Sequence, residues 1–270
     1  MVIGRLAPTP SGHLHLGNAL AFGAAWLSAR AAGGRLLLRV EDLDRQRSRA
    51  EVAAAQKDDL RWLGVDWDEE VPAQSTRAYE LGSAPAYFCR CNRRERVGGE
   101  CGCRALPPAP PGTPGAWRFA ARPGAVAFED RALGPQSFAP DEPVLMRDGL
   151  AGYPLAVVLD DARDGVTEVV RGADLLSATA VQIRLQEALG LPRPTYLHVP
   201  LLLGPDGKKL SKSHRSTELR ALRAAGATPE QVWARLLPLL GLEPPLAAAA
   251  TRFDPRAVRA GSFVMADDVC

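Results

Sequence analysis

The sequence predicts an α/β fold, a parallel sheet covered by helices, with a separate subdomain inserted into it. Three observations carry this. A short apolar strand at residues 2–6 turns through Pro8, Pro10, Ser11 and Gly12 into a long apolar run that ends at Gly33 and Gly34. The stretch RLLLRVEDLD, residues 35–44, follows at once, and its continuous Leu and Val read as a strand buried on both faces. Farther on, AWRFAA, AVAFED, QSFAP and PVLMRDG succeed one another without intervening helices, which marks an insertion in an otherwise alternating chain.

Composition bounds the function. The chain has 270 residues, 46% hydrophobic and 24% charged, as ordinary globular proteins do. One α/β domain with an insert, or two small domains, fits that length. A net charge of +2 and a pI near 8.3 permit nucleic-acid binding only through a local basic surface. The apolar run after Asn18 follows prolines and histidines and breaks at Gly23 and Arg30, so it is not a secretion signal. No stretch is long and apolar enough to span a bilayer. A cytoplasmic protein with no membrane partner is expected.

Taken in order, the first loop holds His13 and His15 ahead of a helix. Amide groups at a helix start favour anions, and Gly17 lets a flat ring approach the backbone, so a nucleotide site is one reading. A structurally satisfied histidine pair fits the same residues. Glu41, Asp42 and Asp44 fall at the end of the second strand, either to cap the next turn or to partner a substrate ammonium. Ser48 to Glu51 reads as a capping box that opens a helix to about Leu63, closed by Gly64.

Cys89, Cys91, Cys101 and Cys103 form two C-x-C pairs separated by nine residues. Such clustering without a secretion signal favours metal thiolates over disulfides, and four soft ligands suit tetrahedral Zn²⁺. Free thiols are the alternative, and Cys270 is incidental. Residues 107–114 form a stiff Pro-rich connector. After it Tyr153 precedes an expected apolar strand, and Arg171, Gly172 and Asp174 end another, with a helix after Ser177. Tyr153 and Arg171 would bind a carboxylate or make a strand-end ion pair. At residues 204–213, GPDGKKLSKS sets a turn before Lys208, Lys209 and Lys212, either a solvated basic loop or a clamp on phosphates. A last helix, TPEQVWARLLPLLG, occupies residues 228–241 ahead of Pro244 and Pro245.

HLGN at 15–18 and KLSKS at 209–213 are similar to the paired ATP signatures of class I aminoacyl-tRNA synthetases. With RLAPTPSGHLHLGN, RVEDLD, QSTR, YFCRC, YPLAVVLDD, TEVVRGADLL and LHVPLLL, they resemble the glutamate-specific members from Ile3 to about Ser213. The resemblance implies a Rossmann-type catalytic domain in two halves, 1–72 and 149–213. An inserted zinc-bearing α+β, acceptor-binding subdomain would occupy 73–148, and a short helical part 214–270. It implies that Arg5, Leu6, Ala7, Pro8, Thr9, Glu41, Tyr153 and Arg171 surround L-glutamate. ATP, with Mg²⁺, would be held by His13, His15, Gly17, Asn18, Lys209 and Lys212, with His15 and Lys212 catalytic.

The C-x-C insert and the early end of the chain resemble those members that activate glutamate without tRNA and place it on queuosine in the anticodon of tRNA(Asp). A monomeric ligase lacking an anticodon-binding domain is the expectation. An ordinary core that charges the terminal adenosine of tRNA(Glu), or a nucleotide-binding regulator without catalysis, are the alternatives. The chain departs from the family at Asn18, where many class I enzymes have His, and at Cys101, where relatives use a tyrosine ligand. A helix usual between the QS-x-R motif and the first C-x-C is largely missing.

Overall fold

The computed structural model describes residues 1–92, 95, 101–107, 109–110, 112–210 and 217–265; Cys270 lies outside them. Strand β1 (Ile3–Leu6) leads through the Pro/Gly loop into helix α1 (Leu16–Ala31). β2 (Arg35–Leu38) returns parallel to β1, with Ile3 opposite Arg35 and Leu6 opposite Leu38. The ladder thus ends four residues into the expected stretch, leaving Arg39 to Asp44 to run on beyond the sheet. Helix α2 (Ala50–Trp62) and a short β3 (Glu69–Glu70), parallel to β2, complete this half.

Helix α2 starts one residue later than expected. Its N-cap is Arg49, with no side-chain cap bond, so the capping box at Ser48 is not formed. The reason is a tether: the Arg49 amide donates to the Pro10 carbonyl at 3.0 Å, fixing the helix entrance to the first loop. Gly64 does close the helix, at φ +76°.

Strands β4 (Ala86–Cys89), β5 (Ala116–Phe119), β6 (Val126–Asp130), β7 (Gly134–Phe138), β8 (Val144–Arg147) and β9 (Leu150–Ala151) follow, with no α-helix between them among the described residues. Their pairing divides the segment expected as one insert. β4, β5, β8 and β9 form an antiparallel sheet of their own, whereas the β6–β7 hairpin joins the main body.

The next element corrects an expectation. YPLAVVLDD is helix α3 (Tyr153–Arg163), not a strand, with Pro154 in its first turn, where proline is pre-organised for a helix. A short continuous apolar run cannot be assigned by periodicity alone, and here Leu155 to Val158 are buried on every side. β10 (Glu168–Gly172), α4 (Ala178–Leu189) and β11 (Thr195–Val199) restore the alternation. β10 pairs parallel with β11, β11 with β6, and β6 antiparallel with β7. β10 also runs beside β1, where the Thr167 amide donates to the Ile3 carbonyl at 2.9 Å.

β12 (Leu201–Leu203), α5 (Leu219–Ala224), α6 (Pro229–Leu236), α7 (Leu246–Ala249) and β13 (Ser262–Val264) finish the described chain, β13 lying parallel to β12. The helix expected to reach Gly241 stays α-helical only to Leu236, and residues 237–240 tighten into a 3-10 turn. Pro238 cannot supply the amide that an α-helix would need there. No helix among the described residues is long and apolar enough to cross a membrane.

Helix α1 is buried along most of its length because the sheet covers one side and α6 the other. The approach to α6 is close: a Cβ on Gly23 would overlap the Trp233 ring, itself pinned by an indole bond of 2.8 Å to the Leu63 carbonyl. Gly23→Ala should therefore lower stability by about 1–3 kcal/mol through overpacking, although alanine is the better helix former. Equilibrium urea unfolding tests this; unchanged stability would mean that α6 is free to move away.

Candidate active site

The carboxyl ends of β1, β2 and β10 meet at one place, where open α/β sheets bind ligands. A cleft of about 260 Å³ opens there. It is lined by Arg5, Ala7 and Thr9 from the first strand and loop, by Glu41 beyond β2, and by Tyr153 and Arg171. His15, Gly17, Asn18 and Lys209 line its other wall. Pro8 and His13 face a second cavity on the far side of the loop, which shares Thr9, His15 and Lys209 with the first. Leu6 faces neither; its side chain is in the core, and its carbonyl accepts the Arg39 amide at 2.9 Å. Lys212, with the rest of residues 211–216, lies outside the described residues. Lys209 is paired with Asp174 across the cleft.

The loop is held from below by Gln56 of α2, whose amide donates to the carbonyls of Thr9 at 3.0 Å and Gly12 at 2.6 Å. Its last residue, His15, is the N-cap of α1. The Nδ1 atom accepts the amides of Gly17 at 3.1 Å and Asn18 at 3.3 Å, and Asn18 Oδ1 accepts the His15 amide at 3.0 Å. Two of the helix amides expected to face an anion are thus taken by the ring itself. An accepting Nδ1 places the proton of neutral His15 on Nε2. Asn18 has a structural task where it departs from the family pattern. A Cβ on Gly17 would stand 3.0 Å from the His15 ring and press on it.

The opposite wall is a buried lattice of charge. Arg39, with no exposed surface, donates to Asp161 at 2.7 Å, Asp164 at 2.9 Å and Glu41 at 3.3 Å. Burial opposes its charge, but Asp161, Glu41 and Asp164 outweigh that and hold the guanidinium firmly protonated. Arg5 lies 3.5 Å from Asp161 and donates to the Val170 carbonyl at 3.1 Å. Arg77, of the QSTR motif, bonds Asp160 and Asp164 at 3.1 and 2.9 Å. Glu41, 7% exposed, is pushed above the usual carboxylate range by burial, which Arg39 and Arg5 offset only in part. A cation arriving beside Glu41 would complete that balance.

Arg171 stands on a different support. Its Nε donates to His198 Nε2 at 3.1 Å, and Nη2 donates to Thr179 Oγ1 at 2.7 Å and the Leu175 carbonyl at 3.3 Å. His198 Nδ1 lies 2.6 Å from Asp130 Oδ2. Burial lowers the His198 pKa despite Asp130, so the ring is neutral beside the arginine. Asp130, Asp161, His198, Arg39 and Gln56 escaped the reading of site residues. Their signal was a charged or polar residue set within a predominantly apolar segment, which burial obliges to find a partner.

The four cysteines also converge. β4 brings Cys89, and a 3-10 turn at Gly102–Ala105 brings Cys103. All four Sγ atoms lie within 4.8 Å of one another, with Cys89 to Cys101 and Cys91 to Cys103 both at 3.5 Å. Tetrahedral thiolates about 2.3 Å from a central ion would be about 3.8 Å apart. The donor set therefore fits a metal ion. Within the cluster, Cys103 and burial push the Cys91 thiol up to about 12.

Comparison with known proteins identifies the family. The family model for the catalytic domain of class I tRNA synthetases (E and Q) matches residues 1–88 and 117–252, leaving out most of the cysteine-bearing stretch. The chain is 44% identical to the glutamyl-Q tRNA(Asp) synthetase of Symbiobacterium thermophilum, over 90% of this chain and 87% of that protein. To the protein of the same name from Nocardia farcinica it is 42% identical, over 98% of this chain and 93% of the relative. The crystal structure of glutamate-tRNA synthetase from Elizabethkingia anophelis superposes with a TM-score of 0.82 at 26% identity, covering 99% of this chain and 69% of that one.

A raised folded-state pKa means that ionised Glu41 costs stability. Its contribution is fully present below the unfolded value, near 4.3, and is lost as pH rises through the folded value. Glu41→Gln should accordingly raise the melting temperature at pH 7 in the absence of ligands, with the gain closing toward pH 4. A drop in melting temperature at pH 7 would show instead that Arg39 and Arg5 depend on the Glu41 charge.

Proposed function

The chain belongs to the class I tRNA synthetase family of glutamate and glutamine enzymes, and from that premise we propose that it activates L-glutamate with ATP and transfers it to queuosine in tRNA(Asp). The observation that carries this is the agreement with proteins named glutamyl-Q tRNA(Asp) synthetase over nearly the full length of both partners, 98% and 93% in the Nocardia case. The residues of the cleft supply what the first step needs.

In that step an α-carboxylate oxygen of glutamate attacks the α-phosphorus of ATP, which enters with Mg²⁺ to offset its charge. The bond to the bridging oxygen breaks, pyrophosphate leaves, and a glutamyl-adenylate anhydride remains. Glu41 receives the substrate ammonium. Arg5 and Arg171 receive carboxylate oxygens in charge-assisted bonds, with Ala7, Thr9 and Tyr153 shaping the space between them. The Nε2 proton of His15 and the ammonium groups of Lys209 and Lys212 meet the phosphates. Positioning and charge stabilisation suffice, and no side chain acts as a nucleophile. In the second step a hydroxyl of the queuosine cyclopentenediol attacks the anhydride carbonyl and AMP departs. In this reading the enzyme works as a cytoplasmic monomer.

The likeness to a glutamate-tRNA synthetase structure favours a second reading, transfer to the terminal adenosine of a tRNA. Labelled glutamate should pass to tRNA(Asp) that carries queuosine, even when its terminal ribose is blocked, and not to tRNA(Asp) without queuosine. Transfer that ignores queuosine but needs the free terminal ribose would establish the second reading.

For the cysteine cluster we infer Zn²⁺, held by Cys89, Cys91, Cys101 and Cys103 and structural in role. Elemental analysis should find about one zinc per chain, released by Cys89→Ser combined with Cys91→Ser. A protein that retains its melting temperature after stringent chelation would remove the metal from the account.

A further inference from the structure

We propose that Asp130 and His198 are positioning residues for substrate glutamate: Asp130 sets the tautomer of His198, and His198 sets which guanidinium nitrogen of Arg171 is left for a carboxylate. This rests on the reading of Arg171 as a glutamate-binding residue. Neither Asp130 nor His198 is among the residues that line the cleft, so both act through Arg171.

The donors of Arg171 can be counted. Nε is bound to His198, and Nη2 to both Thr179 and the Leu175 carbonyl. Nη1 alone has no partner, although the side chain is only 6% exposed. A buried guanidinium nitrogen without an acceptor is costly, and a ligand carboxylate oxygen would satisfy it. The scaffold thus presents Nη1 alone and rules out a two-nitrogen fork to the ligand.

That arrangement needs a lone pair on His198 Nε2, which requires the proton on Nδ1. Asp130 enforces it through Oδ2, 2.6 Å away. The other oxygen, Oδ1, is committed to three backbone amides: Ala132 and Leu133 at 3.0 Å and His198 at 3.3 Å. The carboxylate therefore cannot turn. Tyr196 backs the assembly, with its ring stacked on His198 and the Arg171 guanidinium over its face.

This locked orientation makes Asp130→Asn informative. The three amides will hold the asparagine oxygen at the Oδ1 position, so its NH₂ group must face His198 Nδ1. The imidazole proton then moves to Nε2, where it opposes the N–H of Arg171 Nε. We expect ¹⁵N NMR of His198 to show protonation switching from Nδ1 to Nε2. In glutamate-dependent ATP–pyrophosphate exchange, the KM for glutamate should rise by about tenfold or more, as for a misplaced charge-assisted donor, with kcat and the KM for ATP within about twofold.

A tautomer switch without a change in glutamate KM would overturn the proposal, as would an equal rise in both KM values or a tautomer that does not move. Should the variant not fold, the unaltered protein decides. A proton on His198 Nε2 at neutral pH overturns the proposal, and so does an Nε2 resonance indifferent to glutamate. An unprotonated Nε2 whose shift responds to glutamate and not to ATP supports it. Absence of exchange in the unaltered protein would instead refute the reading of the activity, a separate result from the tautomer.

Discussion

Arg39 lies at the end of β2, sealed from solvent, and a cation there must be answered by carboxylates. Asp161 of α3 and Asp164, the residue that caps its end, answer it and tie that helix to the sheet. Everything on that wall of the cleft inherits the constraint. Asp161 reaches Arg5 as well as Arg39, Glu41 leans on the same guanidinium, and Tyr153 stands at the cleft because α3 begins there. Removing Asp161 from beside Arg39, which would strip a buried cation of a 2.7 Å partner, typically costs ~3–5 kcal/mol. The groups that read as substrate ligands are therefore also the groups that join the two halves of the chain, and site geometry and stability are hard to vary separately.

Much of this was legible in the sequence where the signal was local. The first loop announces itself through Pro8, Pro10, Gly12 and two histidines, and the structure places its residues in two connected cavities. The cysteines carried a spacing that favours a compact cluster, and their four Sγ atoms do converge. What was not legible depended on partners far along the chain. The run YPLAVVLDD reads as a strand, and is a helix whose aspartates Arg77 and Arg39 claim. β6 and β7 look like further pieces of the insert until β11 is found pairing with Asp130. Ser48 offers a sound cap that is displaced when the Arg49 amide goes to the carbonyl of Pro10, far upstream in the first loop.

The bonds that make His15 the cap of α1 also set its tautomer. As N-cap it must present an unprotonated Nδ1 to the Gly17 and Asn18 amides, and that same requirement determines what its other nitrogen carries. Asn18 returns a bond to the His15 backbone amide and so completes the cap. The orientation of the His15 ring thus comes with helix formation and needs no separate support.

The small antiparallel sheet is sewn from two excursions of the chain. β4 and β5 leave and return before the β6–β7 hairpin docks on the main body, and β8 and β9 leave and return after it. A module spliced in once would hang from a pair of adjacent strands, like a door on its jamb. This one is attached by four separate stretches of backbone, with the docked hairpin as a stay between them. Torque applied to its outer edge, including the cysteine turn, is resisted at several anchor points. Four attachments leave this sheet fewer ways to pivot against the cleft than a single splice would.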